Sequence, residues 1–587
     1  MGRRHTRGGT VTVVGNGPVG QTTALLLARW GIPVTVLDAR AERDPIGSKA
    51  ICQQRDVLEV WDAIGVGRQL ADEGVTWGCA RTFHRDHELF AQTFVDRGIS
   101  SFPPFVNISQ ARTEELLDER IAATPSIDVR WGHEATSVDQ DETGVTITCR
   151  TDDGDRVVES DYAVVAVGSR GSTIRQQLGV TFDGRSFDDK FLICDIAADI
   201  PGWADERRFY FDPEWNPGRQ VLIHPCPDST FRIDWQVPGD YDLEAEERSG
   251  ALDERIRKII GDTDYRIVWK SVYRFHSRVA NRMRVDRVLL AGDAAHIVSP
   301  FGARGLNSGV ADAENAAWKL AFVLRGWADE SLLETYHTER HAAAVENIAV
   351  TTATMDFLVP QSDEQHRHRR DVLTAAVTDT QARAQVDSGR LAEPFWYVES
   401  PLTTDDPGRI FAGRPDRGCT PAAAPGILVP DTPVTLRDGG GTRLRDIARN
   451  GILLLLGDGV DADEIRTAAL RAVHTPIRLV RLSEIDTTGA LTAALDAKPG
   501  EVWVIRPDAY VAAVTDSVDG LVAALRRLAG SGSSAVEPGD AHPAADESLD
   551  AQRGAEQGFS DVSIPRGLGI VRPNRSIALS TTGCCSD

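Results

Sequence analysis

Two β-branched, aliphatic runs near the start of the chain, Val11–Val14 and Val34–Leu37, flank an apolar-periodic segment that runs through Ala28. Short continuous apolar runs predict buried strands, and the helical period between them predicts a connecting helix. Val145–Cys149, Tyr162–Val167 and Val288–Leu290 predict further strands. Between 181 and 285 the pattern changes. Thr230–Gln236 alternates, with Phe231, Ile233 and Trp235 on one face and Arg232, Asp234 and Gln236 on the other. Arg208–Phe211 and Val221–His224 are similar, and Asp212–Gly218 between them is rich in turn formers. A mostly antiparallel sheet with one apolar face is predicted there. After Leu320 the chain reads as helical to about Ala353, then polar from Gln361 to Arg370, with another helix before the Pro/Gly/Asp-rich Asp405–Pro425. Beyond that composition shift, Gly451–Leu456, Ile477–Leu482 and Glu501–Ile505 predict strands, and Asp463–Val473 and Val518–Leu528 predict helices. Ser531–Gly558 is rich in Gly, Ser, Ala, Pro and acids and predicts disorder. Phe559–Asp587 has only isolated apolar residues that could drape over a domain.

Composition narrows the function classes. A chain of 587 residues has room for several domains, and its formal net charge of -23 argues against a nucleic-acid partner. No apolar segment approaches the roughly 20 residues that span a bilayer, so no membrane partner is expected. Arg3-Arg4 is followed by no signal-like apolar stretch, and the opening residues read as a solvated tail. The eight cysteines form no CxxC and no zinc-ligand spacing, so no metal is expected. Cys149 and Cys194 lie in apolar runs as small core residues, which fits a reduced, cytoplasmic protein. The adjacent Cys584 and Cys585 read as an incidental feature of a tail.

Two motifs carry chemistry. Strand Val11–Val14 leads into Gly15-Asn16-Gly17-Pro18-Val19-Gly20 and a helix, and strand Val34–Leu37 ends at Asp38. This is a dinucleotide-binding βαβ: Gly15 for the tight turn, Gly17 for approach to a pyrophosphate, Gly20 for helix–strand packing, Asp38 for a ribose hydroxyl. The second motif is Leu290–Leu320. Here a strand ends in Gly292-Asp293, and Pro300, Gly302 and Gly305 precede a helix opening near Leu306. A carboxylate at a strand end can accept from ribityl hydroxyls. The helix start at Gly305, Leu306 and Asn307 can face the negative edge of a reduced flavin.

Together these motifs resemble those of the flavoprotein aromatic hydroxylases, the single-component FAD monooxygenases akin to para-hydroxybenzoate hydroxylase. The resemblance covers about Thr10–Val350. It implies a Rossmann-like α/β FAD-binding domain with an inserted, mostly antiparallel substrate layer. Lys49–Ile64 is read as a helix starting near the pyrophosphate, with Arg55 matching the family arginine that reaches the phosphates, and Gln110 matches the family glutamine. Val504–Val511 resembles the C-terminal thioredoxin-like domain of the phenol and hydroxyphenylpropionate hydroxylase branch. Without a CxxC, that domain implies packing or a homodimer contact rather than redox work. The domains expected are therefore 1–180 (FAD-binding, first part), 181–285 (substrate layer), 286–400 (FAD-binding, second part with helical extension), 401–530 (thioredoxin-like) and a tail, 531–587. One departure stands out. Where the family motif DGxxSxVR has Asp-Gly, this chain has Gly168-Ser169 ahead of Ser172-Thr173-Ile174-Arg175.

The activity implied is hydroxylation of a phenolic or polyketide-like aromatic compound through a flavin C4a-hydroperoxide, with NAD(P)H and O2 as co-substrates. Pro300, Gly305, Leu306 and Asn307 would position the flavin. Phe211, His224 and Trp235 are candidate substrate residues, although aromatics at strand spacing more often form core. His224 and His276 are candidate bases for a phenol, and neither is assigned. Two other readings stay open: an FAD-dependent reductase or dehydrogenase, motivated by Gly168-Ser169, and a non-catalytic flavin-binding scaffold.

Overall fold

The structure is a computed structural model that describes residues 9–44, 50–94, 100–414, 421–436 and 439–530. Arg3-Arg4, Lys49, Cys419, Cys584, Cys585 and the expected tail lie outside the described residues. The β-branched runs form a six-stranded sheet in the order Arg284–Val285, Val288–Leu290, Tyr162–Val165, Val11–Val14, Val34–Leu37, Ile127–Arg130. All its pairings are parallel except at the short Arg284–Val285 edge. Both faces are covered, which is why these strands are apolar throughout rather than alternating. Helices Pro18–Arg29 and Arg304–Leu324 pack together over one face, and Gly309 allows the approach, since a Cβ there would overlap Val19.

The second sheet has eight strands in the order His296–Ile297, Tyr265–Ala280, Phe182–Ala198, Thr230–Val237, Gln220–Cys226, Glu206–Phe211, Cys79–His84, His87–Thr93. It is antiparallel except where Glu206–Phe211 runs parallel to Cys79–His84. The layer is thus broader than 181–285, because the hairpin Cys79–Thr93 completes its edge. Lys49–Ile64 also differs from expectation. Cys52–Gln54 is a strand paired with Phe105–Asn107, and the helix begins only at Arg55. The strand is held by Asn307: the Gln54 amide donates to its Oδ1 at 3.0 Å, and its Nδ2 donates to the Cys52 carbonyl at 3.0 Å.

The C-terminal half contributes a four-stranded sheet ordered Ile477–Arg481, Ile452–Leu456, Val502–Ile505, Val511–Thr515. Its first pairing is parallel and the next two antiparallel. One apolar face packs on Trp318 and Phe322 of helix Arg304–Leu324. Buried ion pairs fix the same contact. Arg506 donates from both Nη atoms to Glu339 at 2.6 and 3.0 Å, and Lys319 donates to Glu339 at 2.6 Å. Arg445 donates to Asp56 and Glu59, each at 2.9 Å, and Arg449 donates to Glu314 at 2.8 Å.

Burial pushes the Glu339 carboxyl up, but Arg506 and Lys319 outweigh it and hold the group well below the usual carboxylate range. A depressed folded value means stability that is fully present above the ordinary carboxylate pKa and is lost as pH falls toward the folded value. Glu339→Gln is therefore expected to cost about 3–5 kcal/mol at neutral pH, because it leaves buried Lys319 without its counter-charge and Arg506 with Asp508 alone. Thermal unfolding across pH would show a large deficit at neutrality that narrows in acid.

Candidate functional site

A cavity of about 830 Å³ lies between the parallel sheet and the eight-stranded sheet. At one end it is lined by Gly15, Gly17, Pro18 and Asp38. Gly15 has φ +108 and stands against the Ala166 carbonyl, so a side chain there would collide with backbone. Gly20 is pressed against the Gly15 carbonyl in the same way and does not reach the cavity wall. Gly17 faces open space, with no atom within 4 Å of where a Cβ would stand. It is the N-cap of helix Pro18–Arg29 and has no side-chain cap, so the positive end of a twelve-residue helix opens on the cavity. Asp38 accepts from the Asn16 amide at 2.8 Å and from Arg40 Nε at 2.9 Å. Burial pushes its carboxyl up, yet these hydrogen bonds hold it below the ordinary value, so it is an ionised acceptor. Gln110 lines the same end, accepting from the Ala50 amide at 3.2 Å.

The middle of the cavity is walled by Gly292, Asp293, Pro300, Gly302, Gly305 and Leu306. Asp293 and Pro300 are exposed, and both belong to the cavity lining. The Gly292 amide donates to the buried Asp312 carboxylate at 2.9 Å, which fixes the turn that presents Asp293. Gly302 has φ +101, Ala303 sits in the left-handed region at φ 56, and helix Arg304–Leu324 starts directly after it without a side-chain cap. The first-turn amides at Gly305 and Leu306 therefore have no intrahelical partner. Asn307 is not in the lining; its side chain does the stitching to Cys52–Gln54 described above. Gly168, at φ +67, and Ser169 also line the cavity, in a short 3-10 turn beside the Gly292–Ala294 turn, with open space beside Gly168.

The far wall is the eight-stranded sheet, and here the expected face is inverted. Ile193, His224, Arg232, Asp234 and Tyr273 line the cavity. Trp235 faces the other way, in a core with Phe231, Ile233 and the helix residues Leu252 and Ile256. Phe211 is on the cavity-side face but beyond the cavity, edge-on to Phe357 at 5.7 Å. Of the three candidate substrate residues, only His224 is in the wall. Trp235 is core because helix Ala251–Ile260 covers the apolar face, and the polar alternation is what reaches the cavity. Burial pushes His224 well below its ordinary value and Asp234 up to about 7, so a neutral imidazole faces a carboxyl that titrates near neutrality. His276 is away from this wall, with Nδ1 2.8 Å from Ser186 Oγ. Arg55, the first residue of helix Arg55–Asp62, is not among the lining residues. Sequence reasoning missed Arg207, which lines the cavity from strand Glu206–Phe211. Its only signal was its place two residues before Phe209 and four before Phe211, on the same face of a strand that reads ERRFYF. No cluster of three or more His, Cys, Asp or Glu suited to a metal occurs among the described residues.

Residues 9–351 match the FAD binding domain family, and residues 422–532 match the aromatic-ring hydroxylase C-terminal family. The chain belongs to the flavoprotein aromatic hydroxylases. It is 31% identical over 371 residues to the 3-(3-hydroxy-phenyl)propionate/3-hydroxycinnamic acid hydroxylase of Comamonas testosteroni, covering 62% of this chain and 61% of that protein. It is 30% identical over 374 residues to the para-nitrophenol 4-monooxygenase of Pseudomonas sp. (strain WBC-3), covering 62% of this chain and 90% of the relative. The crystal structure of the flavin-dependent monooxygenase PieE in complex with FAD and substrate has the same fold, with TM-score 0.77 at 23% identity, covering 89% of this chain and 99% of that one. The cofactor of this family member is FAD. The cavity suits it: open space at Gly17 beside a helix N-terminus accommodates a pyrophosphate, and the cavity-exposed Asp293 supplies an acceptor where hydroxyls would lie.

If Asp293 accepts from the ribityl chain, Asp293→Ala removes a charge-assisted hydrogen bond of about 1.5–3 kcal/mol. The purified variant is expected to retain markedly less FAD than wild type by visible absorbance. Its apoprotein should still unfold cooperatively.

Proposed function

We propose that the chain is an FAD-dependent monooxygenase that hydroxylates a phenolic or polyketide-like aromatic compound, using NAD(P)H as reductant and O2 as oxidant. The observation that carries this reading is the single cavity joining the dinucleotide-type wall of Gly17, Asp38 and Asp293 to the sheet wall of Ile193, His224 and Tyr273. The printed names of the relatives, hydroxylases and monooxygenases of phenolic compounds, support it. In balance, a ring C–H becomes C–OH with one atom of O2. The other atom leaves as water, with the hydride of NAD(P)H and one proton supplying what it needs. Bound FAD supplies the redox chemistry between nicotinamide and O2.

What the chain's own residues do is bind, orient and exclude water. The helix start at Gly17 would take the pyrophosphate, with Gly15, whose amide donates to the Leu37 carbonyl at 2.7 Å, making the tight turn and Gly20 keeping the helix close behind it. Asp38 would hold a ribose hydroxyl, and Gln110 and Asp293 the polar middle of the cofactor. The Pro300 backbone and the first-turn amides at Gly305 and Leu306 would stabilise negative charge on the flavin ring. Asn307 acts one step back, by holding Cys52–Gln54 against the helix start.

Domain limits follow from the same reading: FAD-binding parts at 1–180 and 286–400 and a substrate layer at 181–285 extended by Cys79–Thr93. The strand order and directions of the C-terminal sheet, with helices Ala462–Ala472 and Val518–Leu528, support a thioredoxin-like domain at 401–530. Its work is packing against helix Arg304–Leu324, and a homodimer contact remains part of the proposal. Free Cys52, Cys79, Cys149, Cys194 and Cys226 support a reducing, cytoplasmic setting.

Turnover under isotopically labelled O2 with a panel of phenols is expected to place label in the product. Unlabelled product would instead favour the FAD-dependent reductase reading that Gly168-Ser169 motivates. Asp tolerates the left-handed conformation of Gly168 better than most residues do, and open space surrounds it. Gly168→Asp is therefore expected to fold and to speed flavin bleaching by NAD(P)H by about tenfold, the worth of one charge-assisted hydrogen bond. Anaerobic stopped-flow absorbance reads this directly.

A further inference from the structure

The cavity face of the eight-stranded sheet carries a row of charged and polar side chains from adjacent strands. His224 is in register with Arg232, and Arg232 with Asp195. Arg207 lies beside them on the next strand, Glu206–Phe211. Most of the charge in this row is satisfied internally, since Arg232 donates to Asp195 from Nε at 2.7 Å and from Nη2 at 2.8 Å.

Arg207 is the exception. It is 5% exposed and lines the cavity, yet it makes no hydrogen bond or ion pair among the described residues. Its guanidinium carbon stands 5.8 Å from the Phe209 ring centroid, and the Asp234 carboxyl acts on it through space without a hydrogen bond. His224 Nδ1 and Asp234 Oδ1 are also buried without partners, and His224 Nε2 stands 4.0 Å from Asp234 Oδ2. Burial pushes the Arg207 guanidinium down to about 10. A buried cation with no hydrogen-bonded counter-charge is a costly arrangement in a fold, and it suits a site where a ligand supplies the missing partner. The elements that suit the pyrophosphate and ribityl chain are on the other wall, so the anion that meets Arg207 belongs to the second occupant.

From this geometry we infer that Arg207 is the anchor for an oxyanion on the substrate, a ring phenolate or a carboxylate, with His224 and Asp234 as its polar neighbours. The inference rests on the reading that an aromatic substrate shares the cavity with FAD. An Arg fork suits a carboxylate bidentately and a phenolate through one N–H, so both sources share one chemistry.

The test is binding, read as the perturbation of flavin absorbance when holoenzyme is titrated with matched probes. The carboxylate arm compares 3-hydroxybenzoate with its amide and anthraquinone-2-carboxylate with its amide. The phenolate arm compares 4-nitrophenolate with 4-nitroanisole. In at least one arm the ionised probe is expected to bind about 10- to 100-fold more tightly than its neutral partner, and the arm that responds names the source. Arg207→Gln should abolish that preference with FAD retained, and Arg207→Lys should restore part of it. Equal binding of ionised and neutral probes, no binding of any probe, or an unchanged preference in Arg207→Gln overturns the inference. Loss of FAD from Arg207→Gln overturns it too, since Arg207 would then serve the cofactor. Should Arg207→Gln not fold, the wild-type preference together with its weakening in Arg207→Lys decides the matter. Failure of the monooxygenase reading is separate: product without label from O2 leaves an intact anion preference standing.

Discussion

The carboxylate of Asp312 is the point on which the flavin end of this molecule depends. It is fully buried in helix Arg304–Leu324 and accepts from the Gly292 amide at 2.9 Å, from His296 Nε2 at 2.7 Å and from Arg340 Nε at 2.7 Å. Burial pushes this carboxyl up, but the charges of His296 and Arg340 hold it below its ordinary value, so the anion is the resident form. One charge thereby fixes the turn that offers Asp293 to the cavity and the helix whose first turn faces the same space. Arg340 continues outward to the Tyr397 hydroxyl at 2.9 Å, while the preceding residue, Glu339, takes Arg506 from the C-terminal sheet. Adjacent residues on one helix therefore look in two directions, one toward the cofactor turn and one toward the C-terminal layer. That layer is part of the scaffold holding the flavin end, even though it contributes none of the cavity lining.

The eight-stranded sheet solves a different problem. Its outer face is plain hydrophobic packing against helix Ala251–Ile260, with Trp235 fully buried in it. Its inner face divides: Phe191, Phe209 and Phe275 gather around Phe301, while Arg232, Asp195, His224 and Asp234 form a polar patch. An aromatic guest would find rings at one side and directional charge at the other, the pattern expected of a site that must both hold and orient a flat molecule.

Much of this was legible in the sequence, and the limits have physical causes. The parallel strands were readable because burial on both faces forces continuous apolar runs, and the placement of Gly15, Gly17 and Asp293 along the cavity was readable because backbone turns at strand ends set it. The substrate wall was not. Alternation in Thr230–Val237 reveals two faces but cannot say which one looks inward when both are covered, and the apolar face turned out to meet a helix. Cys52–Gln54 was read as helix because its pairing depends on Phe105–Asn107 and on Asn307, some 250 residues away in the chain. Arg55 illustrates the reverse limit: its place in the motif was clear, but position at the first residue of a helix does not by itself bring a side chain to the cavity.

Gly168 ties these threads together. The position stands on the cavity wall at a positive φ, where glycine is the residue that costs least and a carboxylate would be somewhat strained. A family pattern that keeps an acid there accepts that strain in return for a charge on the cavity wall. This chain has relieved the strain and given up the charge, while the next turn keeps its arginine: Arg175 is buried, donates to the Ala294 carbonyl at 2.9 Å and lies over the Phe182 ring at 3.9 Å. Arg175 thus braces the GD turn from behind whether or not an acid stands at 168. The geometry of the turn is therefore independent of the residue at 168, so a change there alters charge at the cavity wall without unseating the turn that presents Asp293.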